Sequence, residues 1–159
     1  EFDEELVIKP KVQTVTAILN KAMKSVHLHF PHLEVSLKVE PEAECVLADK
    51  DRMTQVFVNI LENAARYNDK EKPTCNVRSE KIDDSVVISF SDNGIGVSEK
   101  HLSKIFDSFY QVDMGSGRKV GGTGLGLSIC RGIMAAHGGK IWAEQNPKGG
   151  TVFKISLSL

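Results

Sequence analysis

Two glycine clusters constrain the fold of this chain more than any other feature. The sequence DNGIG occupies residues 92–96, and GGTGLGL occupies residues 121–127. Glycine allows sharp turns and lets a ligand approach the backbone closely, while the unpaired N–H groups of a helix N-terminus attract phosphate. Because the clusters flank one predicted helix and a second helix begins at the later cluster, the pattern predicts a nucleotide-binding site.

Size and composition indicate one globular domain. The chain has 159 residues, of which 41% are hydrophobic, enough for a single domain with a real core. The formal net charge of -1 favours neither nucleic acid nor a membrane surface as a partner. Cys45, Cys75 and Cys130 are widely spaced and odd in number, which indicates neither a disulfide framework nor a zinc site. We therefore expect a soluble domain in a reducing cytoplasm.

Hydrophobic periodicity predicts the order of helices and strands. Asp49 or Asp51 can cap the second helix, and Asp83 with Asp84 forms the turn of a hairpin. The predicted helices span residues 10–26, 51–68, 98–109 and 123–137, and the predicted strands span residues 33–40, 45–48, 75–82, 85–91, 140–145 and 151–157. These elements predict an α+β fold: a two-layer α/β sandwich in which about three helices cover one face of a mixed, mostly antiparallel sheet.

A polar stripe runs along the helix predicted for residues 51–68. On a helical wheel Asn59, Glu62, Asn63 and Arg66 lie on one side, opposite the apolar residues. An ordinary solvated surface is the alternative interpretation. Asparagine is, however, a poor helix former, and two of them four residues apart are unusual there. Because an amide oxygen is a hard ligand, the stripe is a candidate site for Mg2+.

The residues around the glycine clusters fit the two ends of a nucleotide. Asp92 ends a predicted strand, where its carboxylate can accept a hydrogen bond from an adenine amino group. Arg118 and Lys119 lie in the glycine-rich loop before the second cluster and can reach phosphates when that loop closes. The alternatives are an ordinary Asp-Asn-Gly turn and two solvent-exposed basic residues.

Four motifs occur in one order along the chain. They are NILENAARY at residues 59–67, DNGIG at residues 92–96, IFDSFY at residues 105–110 and GTGLGL at residues 122–127. This order resembles the ATP-binding catalytic domain of bacterial sensor histidine kinases, from about Asp49 to the C-terminus. The resemblance implies the Bergerat-type fold of the GHKL superfamily, shared with gyrase, mismatch-repair and heat-shock chaperone ATPases.

The resemblance also implies a role for each matching residue. Asn63 would bind Mg2+, Arg66 would contact a phosphate of ATP, Tyr67 would flank the base and Asp92 would bind the adenine amino group. Residues 113–121 would form the ATP lid. The residues implied to shape the pocket around the nucleotide are Gly94, Gly96, Gly122, Thr123, Gly124, Leu125 and Gly126.

The implied activity is that of a protein-histidine kinase fragment without its phosphoacceptor. The γ-phosphoryl group would pass to a histidine on dimerisation helices absent from this chain, within a homodimer, and then to the receiver domain of a response regulator. The parent protein would be anchored in a membrane with this domain on the cytoplasmic side. We predict one domain over residues 1–159, with residues 1–9 as a linker or a cloning remnant.

Departures from the family pattern keep two alternatives open. Asn68 stands where the family usually has Thr or Ser, and Gln111 where it has Arg, which permits a degenerate nucleotide-sensing interaction domain. The second alternative is a clamp or chaperone module that hydrolyses ATP. Such ATPases carry a glutamate base where Asn59 stands, and a neutral amide cannot take a proton from water. Glu62 remains a candidate base or orienting group.

Three histidines follow the first predicted helix. His27, His29 and His32 form the pattern His-x-His-x-x-His. Because no cysteine or carboxylate ligand stands nearby, we interpret them as part of a solvated linker beyond the helix and not as a metal site.

Overall fold

The computed structural model of the chain describes residues 6–108, 110 and 126–159. Within these ranges the α-helices are α1 (Val15–His29), α2 (Lys50–Arg66) and α3 (Gly126–Ala136), and short 3-10 helices span Pro41–Ala43 and Glu99–His101. The strands are β1 (Lys11–Thr14), β2 (Glu34–Val39), β3 (Cys45–Ala48), β4 (Thr74–Ile82), β5 (Ser85–Asp92), β6 (Lys140–Gln145) and β7 (Thr151–Ser158).

The main sheet has five strands in the order β2-β4-β5-β7-β6. Only the pair β2 and β4 is parallel among these neighbours, and the other three pairs are antiparallel. β1 and β3 form a separate antiparallel pair. Helix α2 packs against β4 and β5, α1 packs against α2, and α3 packs against β6. The predicted α+β sandwich with a mixed, mostly antiparallel sheet is confirmed.

The core lies between α2 and the sheet. Phe57 on α2 meets Phe90 on β5 edge to face, with ring centroids 5.1 Å apart, and both side chains are buried. Buried residues alternate along β7, as expected for a strand with one face on a core. Asp49 caps α2, because its side chain accepts a hydrogen bond from the N–H of Arg52 at 3.1 Å. This packing fixes which face of α2 points away from the sheet.

The prediction for the first helix is wrong at both ends. Residues 11–14 form β1, in which Val12 pairs with Leu47, and Val12 is 72% exposed. Its fit to a helical period was coincidental, since pairing with a distant strand leaves no local signal. Thr14 begins the helix instead, because its side chain accepts from the N–H of Ala17 at 3.1 Å. At the other end α1 continues to His29, so His27 and His29 are helical and not part of a linker.

The helix predicted from Ser98 is also wrong. Only the 3-10 helix Glu99–His101 forms, followed by turns, and Ser98 makes no side-chain capping bond. Ile105 and Phe106 are buried nevertheless, which explains why their spacing resembled a helix. Phe109 and the predicted loop at residues 113–122 lie outside the described residues.

The last helix and the C-terminal hairpin agree with their predictions where the structure describes them. The predicted start of α3 at residues 123–125 lies outside the described residues. Its end is at the predicted place, where Gly138 has φ of 72° and the N–H of Gly139 donates to Met134 O at 2.8 Å.

None of the helices in the described ranges is long and apolar enough to cross a membrane.

Candidate nucleotide-binding site

The polar stripe of α2 is half-buried rather than freely solvated. Asn59, Glu62, Asn63 and Arg66 are all of intermediate exposure. Asn59 Nδ2 donates to Gly126 O at 3.2 Å, and Asn63 Nδ2 donates to Asn59 O at 2.9 Å. The side-chain amide of Asn63 is held through this bond from its nitrogen, and no described residue donates to its Oδ1. The two asparagines and the first described residue of α3 therefore lie together.

The C-terminal end of α1 contacts the other two residues of the stripe. His29 Nδ1 lies 4.0 Å from Glu62 Oε2, and the guanidinium carbon of Arg66 lies 5.7 Å from the centre of the Phe30 ring. At that distance the cation and the ring attract each other. These contacts were not predicted from the sequence. Their only local signal is the position of His29 and Phe30 at the end of a helix whose true length was not recognised.

Asp92 is a buried carboxyl group at the end of β5. The residue is 6% exposed, and Oδ1 accepts two hydrogen bonds, from Gly94 N at 2.9 Å and from Thr151 N at 3.0 Å. Burial raises the pKa of Asp92, and the two backbone hydrogen bonds oppose that shift. Within the described ranges no group donates to Oδ2. The carboxyl group is thus anchored through one oxygen and keeps the other as an acceptor.

The turn between β6 and β7 lies directly against Asp92. Asn146 Nδ2 donates to Asp92 O at 3.1 Å, and a Cβ atom on Gly150 would lie 2.1 Å from that same oxygen. The sequence analysis did not identify Asn146, Gly150 or Thr151 as site residues. No local signal could have found them, because they are separated from Asp92 by more than fifty residues of sequence.

The DNGIG loop is joined to the end of α2. Ile95 N donates to Tyr67 O at 3.0 Å, and Asn68 Nδ2 donates to Asn93 Oδ1 at 2.7 Å. A Cβ on Gly94 would lie 2.4 Å from Tyr67 O, so the close approach requires glycine there. Asn68, which departs from the family pattern, makes a polar contact in this structure. The motif at residues 59–67 and the motif at residues 92–96 are therefore in direct contact.

Some of the remaining predicted site residues lie in the described part of the structure, and others do not. Tyr67 is half-buried, and burial raises the pKa of its hydroxyl. Gly96 has φ of 80° and faces Gly150, with its Cβ position 3.3 Å from Gly150 O. Arg118, Lys119, Gly122, Thr123, Gly124 and Leu125, together with Gln111, lie outside the described residues.

The described residues contain no group of three or more His, Cys, Asp or Glu side chains that could hold a metal ion. Asn63 offers a single amide oxygen, which suits Mg2+ because that ion is usually held by one or two protein oxygens together with substrate phosphates and water. The described residues therefore fit a magnesium ion that enters with a nucleotide.

These features define an α+β domain in which a buried carboxyl group, anchored through one oxygen, lies close to the half-buried polar face of a helix. A family model described as "Histidine kinase-, DNA gyrase B-, and HSP90-like ATPase" matches residues 48–159. The chain belongs to this family.

The relatives are sensor kinases. The sensor protein kinase WalK of Staphylococcus haemolyticus is 44% identical over 110 residues, which are 69% of this chain and 18% of that protein. WalK of Staphylococcus aureus shows the same identity over 26% of its length. The chain therefore spans about a fifth to a quarter of the length of these relatives.

Solved structures show the same fold. The catalytic domain of histidine kinase ThkA superposes with a TM-score of 0.78 at 27% identity, covering 95% of this chain and 96% of that one. The mycobacterial sensor histidine kinase MprB has a TM-score of 0.81 at 23% identity, over 93% and 97% of the two chains. The predicted resemblance to the ATP-binding catalytic domain of sensor histidine kinases is confirmed.

Proposed function

We propose that this chain binds Mg-ATP and donates its γ-phosphoryl group to a histidine on dimerisation helices outside the chain. The observation that carries the proposal is the bond between Ile95 N and Tyr67 O, 3.0 Å long, which joins the loop of Asp92 to the helix of Asn63 and Arg66. A base acceptor and a set of phosphate ligands thereby lie on adjacent segments. In the whole protein the phosphoryl group would then pass to an aspartate of a response regulator.

Asp92 would recognise the adenine through a hydrogen bond. Its Oδ2 accepts no hydrogen bond from the described residues, so it can accept one from the amino group of the base. The missing side chains of Gly94 and Gly96 allow the purine to lie against the backbone, and the half-buried Tyr67 flanks it. An oxo group at the same position of the purine would face a carboxylate without a proton between them, which predicts selectivity for adenine over guanine.

The phosphates would be held at the last turn of α2. Asn63 Oδ1 would bind Mg2+, which neutralises phosphate charge, and Arg66 would contact a phosphate. Phosphoryl transfer requires little covalent participation by the protein, so positioning of the reacting groups and neutralisation of phosphate charge suffice for catalysis. Arg118 and Lys119 would reach the phosphates when their loop closes. The family pattern adds Gly122, Thr123, Gly124, Leu125 and Gly126 to the pocket, with residues 113–121 as the lid.

The contacts of Asn59 favour a kinase over a clamp that hydrolyses ATP. Its Nδ2 donates to Gly126 O at 3.2 Å, so the side chain serves as a link between α2 and α3. A neutral amide in that place cannot activate water. Glu62, whose side chain is 22% exposed, is the remaining carboxylate of the stripe and would orient the acceptor imidazole.

We also propose the setting in which the domain works. The domain spans residues 1–159, and the parent is a homodimeric, membrane-anchored kinase of a bacterial two-component system with this domain in the cytoplasm. Cys45, Cys75 and Cys130 are free thiols, which suits a reducing compartment. Burial raises the pKa of the Cys130 thiol to about 12, so it is not a reactive nucleophile.

Calorimetric titration with a non-hydrolysable ATP analogue tests the proposal. We expect binding that strengthens with Mg2+ and exceeds binding of the matching GTP analogue. Dimerisation helices from a sensor kinase of this family, added with ATP, should then become phosphorylated on histidine. Steady release of inorganic phosphate by the isolated chain would instead support the clamp alternative, and absence of nucleotide binding at millimolar concentration would support the degenerate interaction domain.

A further inference from the structure

We propose that Asn146 and Gly150, in the turn between β6 and β7, are positioning residues that set the selectivity of the site for adenine by holding Asp92. The inference rests on the proposed function, since it concerns the residue assigned to the base. Neither residue needs to touch the nucleotide. Both act through the backbone and carboxyl group of Asp92.

The side chain of Asn146 has two separate tasks. Its Oδ1 accepts from Lys148 N at 3.1 Å, which closes the turn locally, while its Nδ2 donates to Asp92 O at 3.1 Å. The backbone N–H of Asn146 also donates to Gly150 O at 3.0 Å. The turn is therefore stable through its own bonds, and the bond from Nδ2 is the one that ties it to β5.

Gly150 brings the backbone of the turn against Asp92. Its φ is 98°, a conformation that side chains disfavour, and a Cβ there would lie 2.1 Å from Asp92 O and 2.7 Å from Oδ1. Any larger residue would have to move Asp92 or the turn. The next residue, Thr151, donates its N–H to Asp92 Oδ1 at 3.0 Å. The absence of a side chain at residue 150 thus makes this second hydrogen bond possible.

The consequence for recognition follows from the two donors on one oxygen. Gly94 N and Thr151 N approach Oδ1 from different segments of the chain, so together they fix the plane of the carboxyl group. Oδ2 then keeps one direction as an acceptor. Selectivity between an amino and an oxo group depends on that direction, because hydrogen-bond strength falls steeply with misalignment. Loosening the turn should therefore reduce selectivity more than affinity for the rest of the nucleotide.

The variant Asn146→Ser tests this without adding volume. A serine hydroxyl can still accept from the N–H of Lys148, but the shorter side chain lacks the amide N–H group that donates to Asp92 O. The probes are ADP and IDP, which differ in the amino or oxo group at C6 of the base and in the proton that N1 carries beside the oxo group. We expect the ratio of their dissociation constants to fall about three- to tenfold toward one, the change typical of one hydrogen bond. Lys148→Ala, an exposed position in the same turn, is the matched control and should keep the parent ratio.

A second measurement does not depend on nucleotide. Carbon-13 NMR of the Asp92 carboxyl group should show its pKa rise further in Asn146→Ser, because weaker donation by Thr151 N stabilises the ionised form less. A variant that keeps both the parent ratio and the parent titration of Asp92, with only a lower melting temperature, would overturn the inference. A parent protein that binds ADP and IDP equally would overturn the proposed function itself, so the two failures are distinguishable.

Discussion

The two ends of the candidate site differ in the groups that form them: backbone N–H groups predominate at one end and side chains at the other. The base end comprises Asp92, the DNGIG loop and the residues Asn146, Gly150 and Thr151, and its hydrogen bonds are made largely by backbone N–H groups to the carboxyl group of the buried Asp92. The phosphate end comprises Asn59, Glu62, Asn63 and Arg66, half-buried side chains along one face of α2.

This difference indicates which end of the site is already ordered before a ligand binds. Backbone donors at the base end are held by the sheet and by the turn, so ordering them costs nothing further when a ligand binds. At the phosphate end the groups that would meet the ligand are side chains, and Asn63 Oδ1 accepts no hydrogen bond from the described residues. We expect selectivity to arise at the base end and magnesium dependence to arise at the phosphate end.

The largest effect is expected from Asp92→Ala. The change removes the acceptor for the base and leaves the N–H groups of Gly94 and Thr151 without their partner, so affinity for ADP should fall about 100-fold with or without Mg2+. Calorimetry with ADP measures it. Asp84→Ala, in the exposed turn between β4 and β5, is the matched control. Parent-like ADP binding by Asp92→Ala would remove the base end from the site.

Asn63→Ala should affect only the magnesium-dependent part of binding. Loss of the amide oxygen is expected to weaken binding of the ATP analogue about 10–100-fold in Mg2+, the range found when groups around a metal are removed. In EDTA the variant should bind like the parent. Gln55→Ala, on the same helix, provides the comparison. Equal losses in Mg2+ and in EDTA would mean that Asn63 supports the helix and not the metal.

Lowering the pH should weaken only the binding of the adenine base. Asp92 must be ionised to accept from an amino group, and burial raises its pKa above that of an exposed aspartate. Affinity for adenosine, which carries no phosphate to titrate, should therefore be complete above this raised pKa and decrease as the pH falls through it. Stability has the opposite sign: the contribution of Asp92 is greatest when it is protonated and is lost as the pH rises through the same pKa.

Titration of adenosine by NMR at a series of pH values measures this effect. Asp92→Asn is the control, because an amide does not titrate and its weaker binding should be independent of pH. A parent protein whose adenosine affinity stays constant down to the pKa of an exposed aspartate would show that Asp92 is not the acceptor.

The smallest effect is expected from Phe30→Leu. The ring attracts the Arg66 guanidinium and restricts it, so its loss should weaken ADP binding about two- to fivefold while adenosine binding stays unchanged. Calorimetry with both ligands separates the two ends. Phe30→Tyr keeps a ring and should restore the parent affinity. If Phe30→Leu weakens adenosine as much as ADP, the ring supports the fold and not the phosphate contact.

Local pattern was enough to predict the elements that carry the site. The amphipathic period of α2 placed Asn59 and Asn63 on its polar face, and the turn at Asp83 and Asp84 predicted the β4–β5 hairpin that ends at Asp92. Both signals are contained within a few residues, where periodicity and turn chemistry operate. The family resemblance rested on the same short motifs.

Contacts between distant segments could not be predicted. β1 was mistaken for helix because its partner β3 lies more than thirty residues away, and α1 was predicted too short because its last three residues, 27–29, are exposed and carry no apolar period. The bonds from Asn146 and Thr151 to Asp92 join segments that no periodicity connects. At the site itself, the residue types were visible in the sequence, and the groups that orient them were not.

The single parallel pair in the main sheet has a consequence for how the chain folds. The antiparallel β4–β5 hairpin closes through a two-residue turn, whereas Ser36 on β2 meets Asn76 on β4 across 40 residues of chain, a segment that contains all of α2. Closing so long a loop costs entropy before any contact compensates for it. We expect the hairpin to form early and α2 to dock late, so nucleotide binding should be acquired only in the last kinetic phase of refolding.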